Sequence, residues 1–146
     1  EYAPAVTAAP SNPGLKATWH EFKGNRCGEI EQSPVNGTYS IEDVMIPKKV
    51  KGNIGLVIKG YFNAPKDDIY TFALLSDDGS TLSISGEQVI NNDGPHGPKE
   101  IIGQKALAKG YHPMEVRYFD QNGGQLKLKV TGSDGQEIPF THLYAY

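Results

Sequence analysis

The chain has 146 residues, enough for one domain with a buried core, and 14 Lys+Arg against 17 Asp+Glu give a net charge of −3. That balance excludes a dedicated nucleic-acid binder, which needs a concentrated basic face. No apolar run approaches the ~20 residues of a membrane helix, and the single cysteine, Cys27, excludes a disulfide framework and a Cys-rich zinc site.

The chain opens with Glu1 rather than Met, as expected of a piece excised from something longer. Residues 1–13 (EYAPAVTAAPSNP) are rich in Ala and Pro and lack periodicity. They read as a linker or the tail of an upstream domain, leaving 14–146 as a single domain. Cys27 reads as a buried or semi-buried bystander rather than a nucleophile. Lys48, Lys49 and Lys51 follow Pro47 and read as a solvated loop or edge strand rather than a phosphate-binding patch.

From residue 54 the chain becomes a series of short apolar runs. Ile54 to Phe62 is apolar and β-branched, and Ala64 to Asp68 makes a turn. Ile69 to Leu75 (IYTFALL) is near-continuously apolar, which predicts a strand covered on both faces. Thr81–Ser85 and Gln88–Ile90 flank Gly86-Glu87, a hairpin with Gly first in the turn. Glu100 to Leu107 is a further strand. Tyr111–Phe119 and Gln125–Val130 alternate in the manner of a hairpin closed by Asp120–Gly124, with Glu115 near Lys127 or Lys129 on the outer face. Gly 17 and Pro 10 punctuate these runs, and helical periodicity is nearly absent. The expected fold is all-β: an antiparallel β-sandwich or barrel, lectin-like, with few or no helices.

Asn91-Asn92-Asp93-Gly94 resembles the start of a calcium loop, but its Gly is early and no Glu closes it. No phosphate loop, zinc-helix motif or nucleophile elbow is present. His20, His96, His112 and His142 are scattered. No paired carboxylates stand at a readable catalytic spacing, so the chain itself is read as non-catalytic.

Asp77-Asp78, in LSDDGSTL, admits two readings. In one it is a solvated turn, with Asp capping its own backbone and Gly79 completing the bend. In the other both carboxylates serve one hard cation. Successive strand side chains point to opposite faces, so the second reading needs an abnormal backbone such as a cis peptide.

The ordered elements Gly60-Tyr61-Phe62, Ala64-Pro65, Ile69-Tyr70-Thr71-Phe72, Ser76-Asp77-Asp78-Gly79-Ser80, Leu82-x-Ile84 and Val89-Ile90-x-Asn92-Asp93-Gly94 resemble the protective-antigen-type domain. Gly110-Tyr111-His112-Pro113 and Gly123-Gly124-Gln125-Leu126 follow in the same order, and Gly14 to Trp19 is similar to the family's first strand. The resemblance covers roughly residues 14–142. That family is a β-sandwich or barrel module of a toxin subunit, yeast flocculins and adhesins, and bacterial glycosidases.

The resemblance implies sugar recognition, in some members through Ca²⁺. Carried over residue by residue, the metal ligands would be Asp77, Asp78 and Asp120 with the carbonyls of Asn122 and Gly124. Carbohydrate contacts would come from Asp77, Asp78, His96, Tyr111 and His112. Two departures stand out: the flocculin-like pattern has Asn where Asp120 stands, and the family commonly has Asp where Ser85 stands.

Asn92-Asp93-Gly94-Pro95-His96-Gly97 most resembles modules of secreted bacterial glycoside hydrolases, β-N-acetylhexosaminidases first among them. The implied partners are a glycan and the catalytic domain of the same polypeptide, with no nucleic acid and no membrane. The implied location is secreted, periplasmic or cell-surface. The rival readings are a structural module packed on a catalytic domain and an adhesin-like domain that recognises protein.

Overall fold

The computed structural model describes residues 1–7, 10, 12–139 and 143–144. His142 lies outside the described residues. The elements in chain order are β1 (Leu15–Glu21), a 3₁₀ turn (Cys27–Gln32), β2 (Val35–Ile41), β3 (Asn53–Ala64), β4 (Asp68–Asp77), β5 (Ser80–Ile84), β6 (Glu87–Asn92), β7 (Lys99–Leu107), β8 (Gly110–Gln121), β9 (Gln125–Thr131) and β10 (Leu143–Tyr144). Two antiparallel sheets face each other. The larger runs β2-β1-β3-β8-β5-β6, with β10 also on β3, and the smaller runs β7-β4-β9. No barrel closes, so the sandwich half of the sequence expectation is the architecture adopted.

The alternation of each strand explains the core. On β4, Tyr70, Phe72 and Leu74 are fully buried and meet Leu56, Ile58 and Phe62 of β3 and Val116 and Tyr118 of β8. Phe62 sits edge-on to Tyr70 and Phe72, with centroids 5.4 and 5.8 Å apart, a favoured aromatic arrangement. On the far side of the large sheet the 3₁₀ turn packs Cys27 and Ile30 with Phe22, Val57 and Phe119. A Cβ on Gly55 would lie 2.9 Å from Ile30, so glycine lets the turn lie flat on β3.

Three expectations are corrected. Tyr111–Phe119 and Gln125–Val130 do not form a hairpin: β8 pairs with β3 and β5 in one sheet, and β9 pairs with β4 in the other. Both strands bury one face, and the Asp120–Gly124 loop carries the chain between layers. Glu115 accordingly pairs with Lys59 (3.7 Å) and Arg117 (2.8 Å), not with Lys127 or Lys129.

The run Ile69–Leu75 is covered on one face only. Ile69 is 49% exposed, while Tyr70, Phe72 and Leu74 are buried. Its outward positions pair across the small sheet with Ala106, Gln104 and Ile102.

The β5–β6 turn is Ser85-Gly86, both at positive φ (51° and 79°), one residue earlier than expected. This backbone suits the right-handed twist of a hairpin.

Residues near the N-terminus lie along β7 and β8. The Ala3 N–H donates to the Ala106 carbonyl (3.0 Å), Ala108 N–H to the Ala3 carbonyl (2.9 Å), and Val6 N–H to the Tyr111 carbonyl (2.9 Å). Such pairing uses backbone groups, so it leaves no side-chain period in the sequence.

Candidate functional site

Asp77 ends β4, Asp78 follows it, and their peptide bond is cis. Asp120 lies on the inner face of β8, only 2% exposed. Tyr118 stands two residues earlier on the same face, as strand alternation requires. The Tyr118 hydroxyl lies 2.6 Å from the Asp77 carbonyl oxygen and 2.6 Å from Asp120 Oδ2. The Gly123 N–H donates to Asp120 Oδ1 at 3.0 Å.

Asp78 is gripped from two loops. Its Oδ1 accepts from the His96 N–H (3.1 Å) and its Oδ2 from the Gln121 N–H (3.2 Å). His96 therefore reaches the site through its backbone. Its ring nitrogens lie 2.7 Å from the Gly97 carbonyl oxygen and 2.8 Å from that of Asn92. Burial raises the Asp120 carboxyl above the ordinary carboxylate range, and the charges of Asp78 and Asp77 push it up further. Burial likewise raises the Tyr118 phenol, helped by Asp120, Asp77 and Asp78. Three carboxylates thus share one field at the end of the sandwich.

Glycine makes the closeness possible. A Cβ on Gly124 would fall 1.9 Å from the Asp77 carbonyl oxygen and 2.5 Å from the Tyr118 hydroxyl. One on Gly79 would fall 2.7 Å from the Gly94 backbone. The 120–124 loop adds left-handed backbone at Asn122 (φ 70°) and Gly123 (φ 103°). Beside it opens a cleft of about 440 Å³, lined by the 46–52 loop, Ile54, Asp120, Asn122, Gly123 and Gly124.

The donor set suits calcium chemically. Carboxylates of Asp77, Asp78 and Asp120 and carbonyls of Asn122 and Gly124 are all hard oxygens, and a cation would relieve the repulsion from Asp78 and Asp77 that adds to the effect of burial on Asp120. Among the described residues no group of three or more His, Cys, Asp or Glu side chains is drawn together as a ready metal site. Both oxygens of Asp78 and of Asp120 are instead held by protein donors. Closing this set around an ion would exchange some of those hydrogen bonds for the cation.

Two residues expected near the site stand elsewhere. Tyr111 and His112 lie at the start of β8, nine and eight positions before Asp120. At ~3.3 Å per strand residue they are roughly 26–30 Å away. His112 is fully buried, with its ring nitrogens 3.0 Å from Ser85 Oγ and 2.8 Å from the Ala108 carbonyl oxygen. Its partners make it a strut of the β5–β6 turn.

Other residues the sequence reading passed over matter more. Tyr118 was legible from the i, i+2 spacing to Asp120. Asn92 is buried and donates from Nδ2 to the carbonyls of Leu74 (3.3 Å) and Lys99 (2.9 Å), joining the two sheets. Asp93 accepts from the Cys27 N–H (3.0 Å) and pins the 3₁₀ turn. The Asn-Asp-Gly segment is therefore scaffolding rather than a calcium loop.

The described residues thus form an open two-sheet β-sandwich with Asp77, Asp78 and Asp120 at one end. The family model for the PA14 domain matches residues 11–140, and the chain belongs to that family. Its fold is similar to the "PA14 sugar-binding domain from RTX adhesin" at TM-score 0.77 and 17% identity, covering 93% of this chain and 100% of that one. The epithelial adhesin 9 A domain of Candida glabrata, in complex with Galb1-3GlcNAc, gives TM-score 0.70 at 13% identity, covering 96% and 93%. A β-glucosidase of Kluyveromyces marxianus, in complex with glucose, gives 0.63 at 17% identity over 82% of this chain and 16% of that one. No curated protein matches the chain.

Proposed function

We propose that this domain is a non-catalytic carbohydrate-binding module whose site is the Asp77–Asp78 pair, Asp120 and the adjoining cleft. The observation that carries the reading is that Asp120, whose carboxyl feels the charges of Asp78 and Asp77, lines a cleft of about 440 Å³ together with Asn122 and Gly124, a size suited to a small ligand. The neighbour named as a sugar-binding domain and the adhesin domain in complex with Galb1-3GlcNAc support it. Calcium, when bound, supplies coordination positions that vicinal sugar hydroxyls take in place of water. Asp77, Asp78 and Asp120 would hold it, with the carbonyls of Asn122 and Gly124.

The chain's own groups do the rest. Tyr118 and the Gly123 N–H fix Asp120, while the backbone N–H groups of His96 and Gln121 fix Asp78, so both carboxylates are oriented before a ligand arrives. Ile46, the half-buried apolar residue of the lining, gives the cleft apolar surface for the C–H face of a sugar ring, backed by the buried Pro47, Val50 and Ile54. The parent is read as a secreted or cell-surface glycoside hydrolase, β-N-acetylhexosaminidase first, with the module beside its catalytic domain. The β-glucosidase neighbour, in which this fold is a small part of a long chain, supports that context. The adhesin neighbours support an extracellular setting.

A glycan array probed with the purified chain in calcium and in EDTA tests the reading. Retention of one sugar class in calcium, lost in EDTA and in Asp78→Asn, is expected. Silence in both conditions would overturn it.

A further inference from the structure

Two of the three clustered lysines belong to the cleft. Lys48 and Lys51 line it opposite Asn122, Gly123 and Gly124, whereas Lys49 does not. Their loop is fixed on both sides. Pro47 and Val50 are buried, and the Val50 N–H donates to the Pro47 carbonyl at 3.0 Å. The Gly52 carbonyl accepts from the Asn122 N–H at 3.1 Å, tying this loop to the one that carries the carbonyl donors.

Among the described residues neither Lys48 nor Lys51 makes an ion pair, though Asp120 lines the same cleft. Two exposed ammonium groups held beside apolar cleft surface, and not matched to protein carboxylates, offer charge to a ligand. Among the residues that line the cleft the two lysines stand against Asp120 alone, a positive balance in a protein of net charge −3.

We infer that Lys48 and Lys51 make this cleft selective for acidic glycans, sugars bearing a carboxylate or sulfate, over their neutral counterparts. The inference rests on the proposed carbohydrate site and adds the class of sugar it takes. The acid group would meet the lysine side of the cleft while ring hydroxyls turn to the Asp120 side. Exposed charge pairs contribute modestly and are screened by salt, so the preference should be about three- to tenfold and should shrink as ionic strength rises.

The experiment uses matched pairs on one array in calcium: sialyllactose with lactose, 6-sulfogalactose with galactose, and galacturonate with its methyl ester. The expected result is stronger retention of each acidic member. The preference should vanish in Lys48→Glu/Lys51→Glu and persist in Lys49→Glu, with all three chains giving the same circular dichroism. Equal binding of acidic and neutral members, or a preference that survives the double variant, overturns the inference and leaves the carbohydrate site standing. Binding of no member, in a chain that also binds nothing on the wider array, overturns both.

Discussion

The Tyr118 hydroxyl lies 2.6 Å from Asp120 Oδ2 while standing equally close to the Asp77 carbonyl oxygen. One phenol thereby couples the two sheets at the acidic end of the sandwich, since Asp77 ends β4 in the small sheet and Asp120 sits on β8 in the large one. Tyr118→Phe keeps the ring and deletes that link. It leaves the buried Asp120 carboxyl and the Asp77 carbonyl without the one hydroxyl proton they share, a loss of about 1–3 kcal/mol. Urea denaturation of the two proteins should show a lower midpoint at unchanged slope. An unchanged midpoint would mean that the hydroxyl is dispensable.

Gly124 is required for space. Gly124→Ala places a methyl carbon 1.9 Å from the Asp77 carbonyl oxygen, a backbone atom that has to move. Destabilisation by at least about 2 kcal/mol is expected. Gly97, whose added Cβ meets nothing within 4 Å, is the control. Thermal melts should separate the two variants by several degrees, and matching melts would contradict the geometry.

Calcium should stabilise the fold if it binds the acidic end. At a hundredfold excess over Kd the gain is about 2.7 kcal/mol, or roughly 5–11 °C in Tm for a chain of this size. Asp78→Asn should lose most of that shift, and magnesium, which prefers strict octahedral geometry, should give less. A scan with no calcium response would sink the metal assignment while leaving the cleft.

The Cys27 thiol should be inert in the native state. Burial raises its pKa first, and the charge and hydrogen bond of Asp93 add to that. Iodoacetamide at pH 8 should alkylate the folded chain at least about tenfold more slowly than the chain in urea, because the thiolate is the nucleophile. Asp93→Asn should narrow the gap only partly, since burial remains. Equal rates would refute the assignment.

Asp68 gives an acid limb. Hydrogen bonds from Ser133, side chain and backbone, and from the Ile69 N–H hold its carboxyl below the ordinary range. The folded state therefore binds this proton less tightly than the unfolded chain. Its contribution is full above the unfolded pKa of about 4 and is lost as pH falls through the lower folded value. Urea midpoints measured from pH 5 to pH 2.5 should decline, and Asp68→Asn should flatten part of that decline. A variant with the same slope as the parent would exclude Asp68 as a cause.

How much of this was legible in the sequence follows from the range of the signals. Alternation along Met114, Val116 and Tyr118, and along Leu126, Leu128 and Val130, identified the buried faces, because period-two burial is written into each strand. Ordered motifs from Gly60 to Gly94 carried the family and contained Asp77 and Asp78, and the resemblance added Asp120 on a later loop. Turn chemistry located the β5–β6 hairpin to within one residue.

Pairing was not legible, because a strand that buries one face looks the same whichever sheet it joins. β8 and β9 read as a hairpin and instead belong to opposite layers. That choice alone brings the Asp120–Gly124 loop onto the end of β4. The same blindness to distance put Tyr111 and His112 beside residues that the length of β8 keeps roughly 26–30 Å away. The lysines after Pro47 are exposed, as read, but their sequence could not show that the fold lays Lys48 and Lys51 along the cleft. The sequence by itself determined which residues are apolar, which turn and which carry charge. Only the tertiary structure decided which charges meet, because that depends on long-range strand partners and on glycines, at 79 and 124, whose missing side chains leave no pattern of their own.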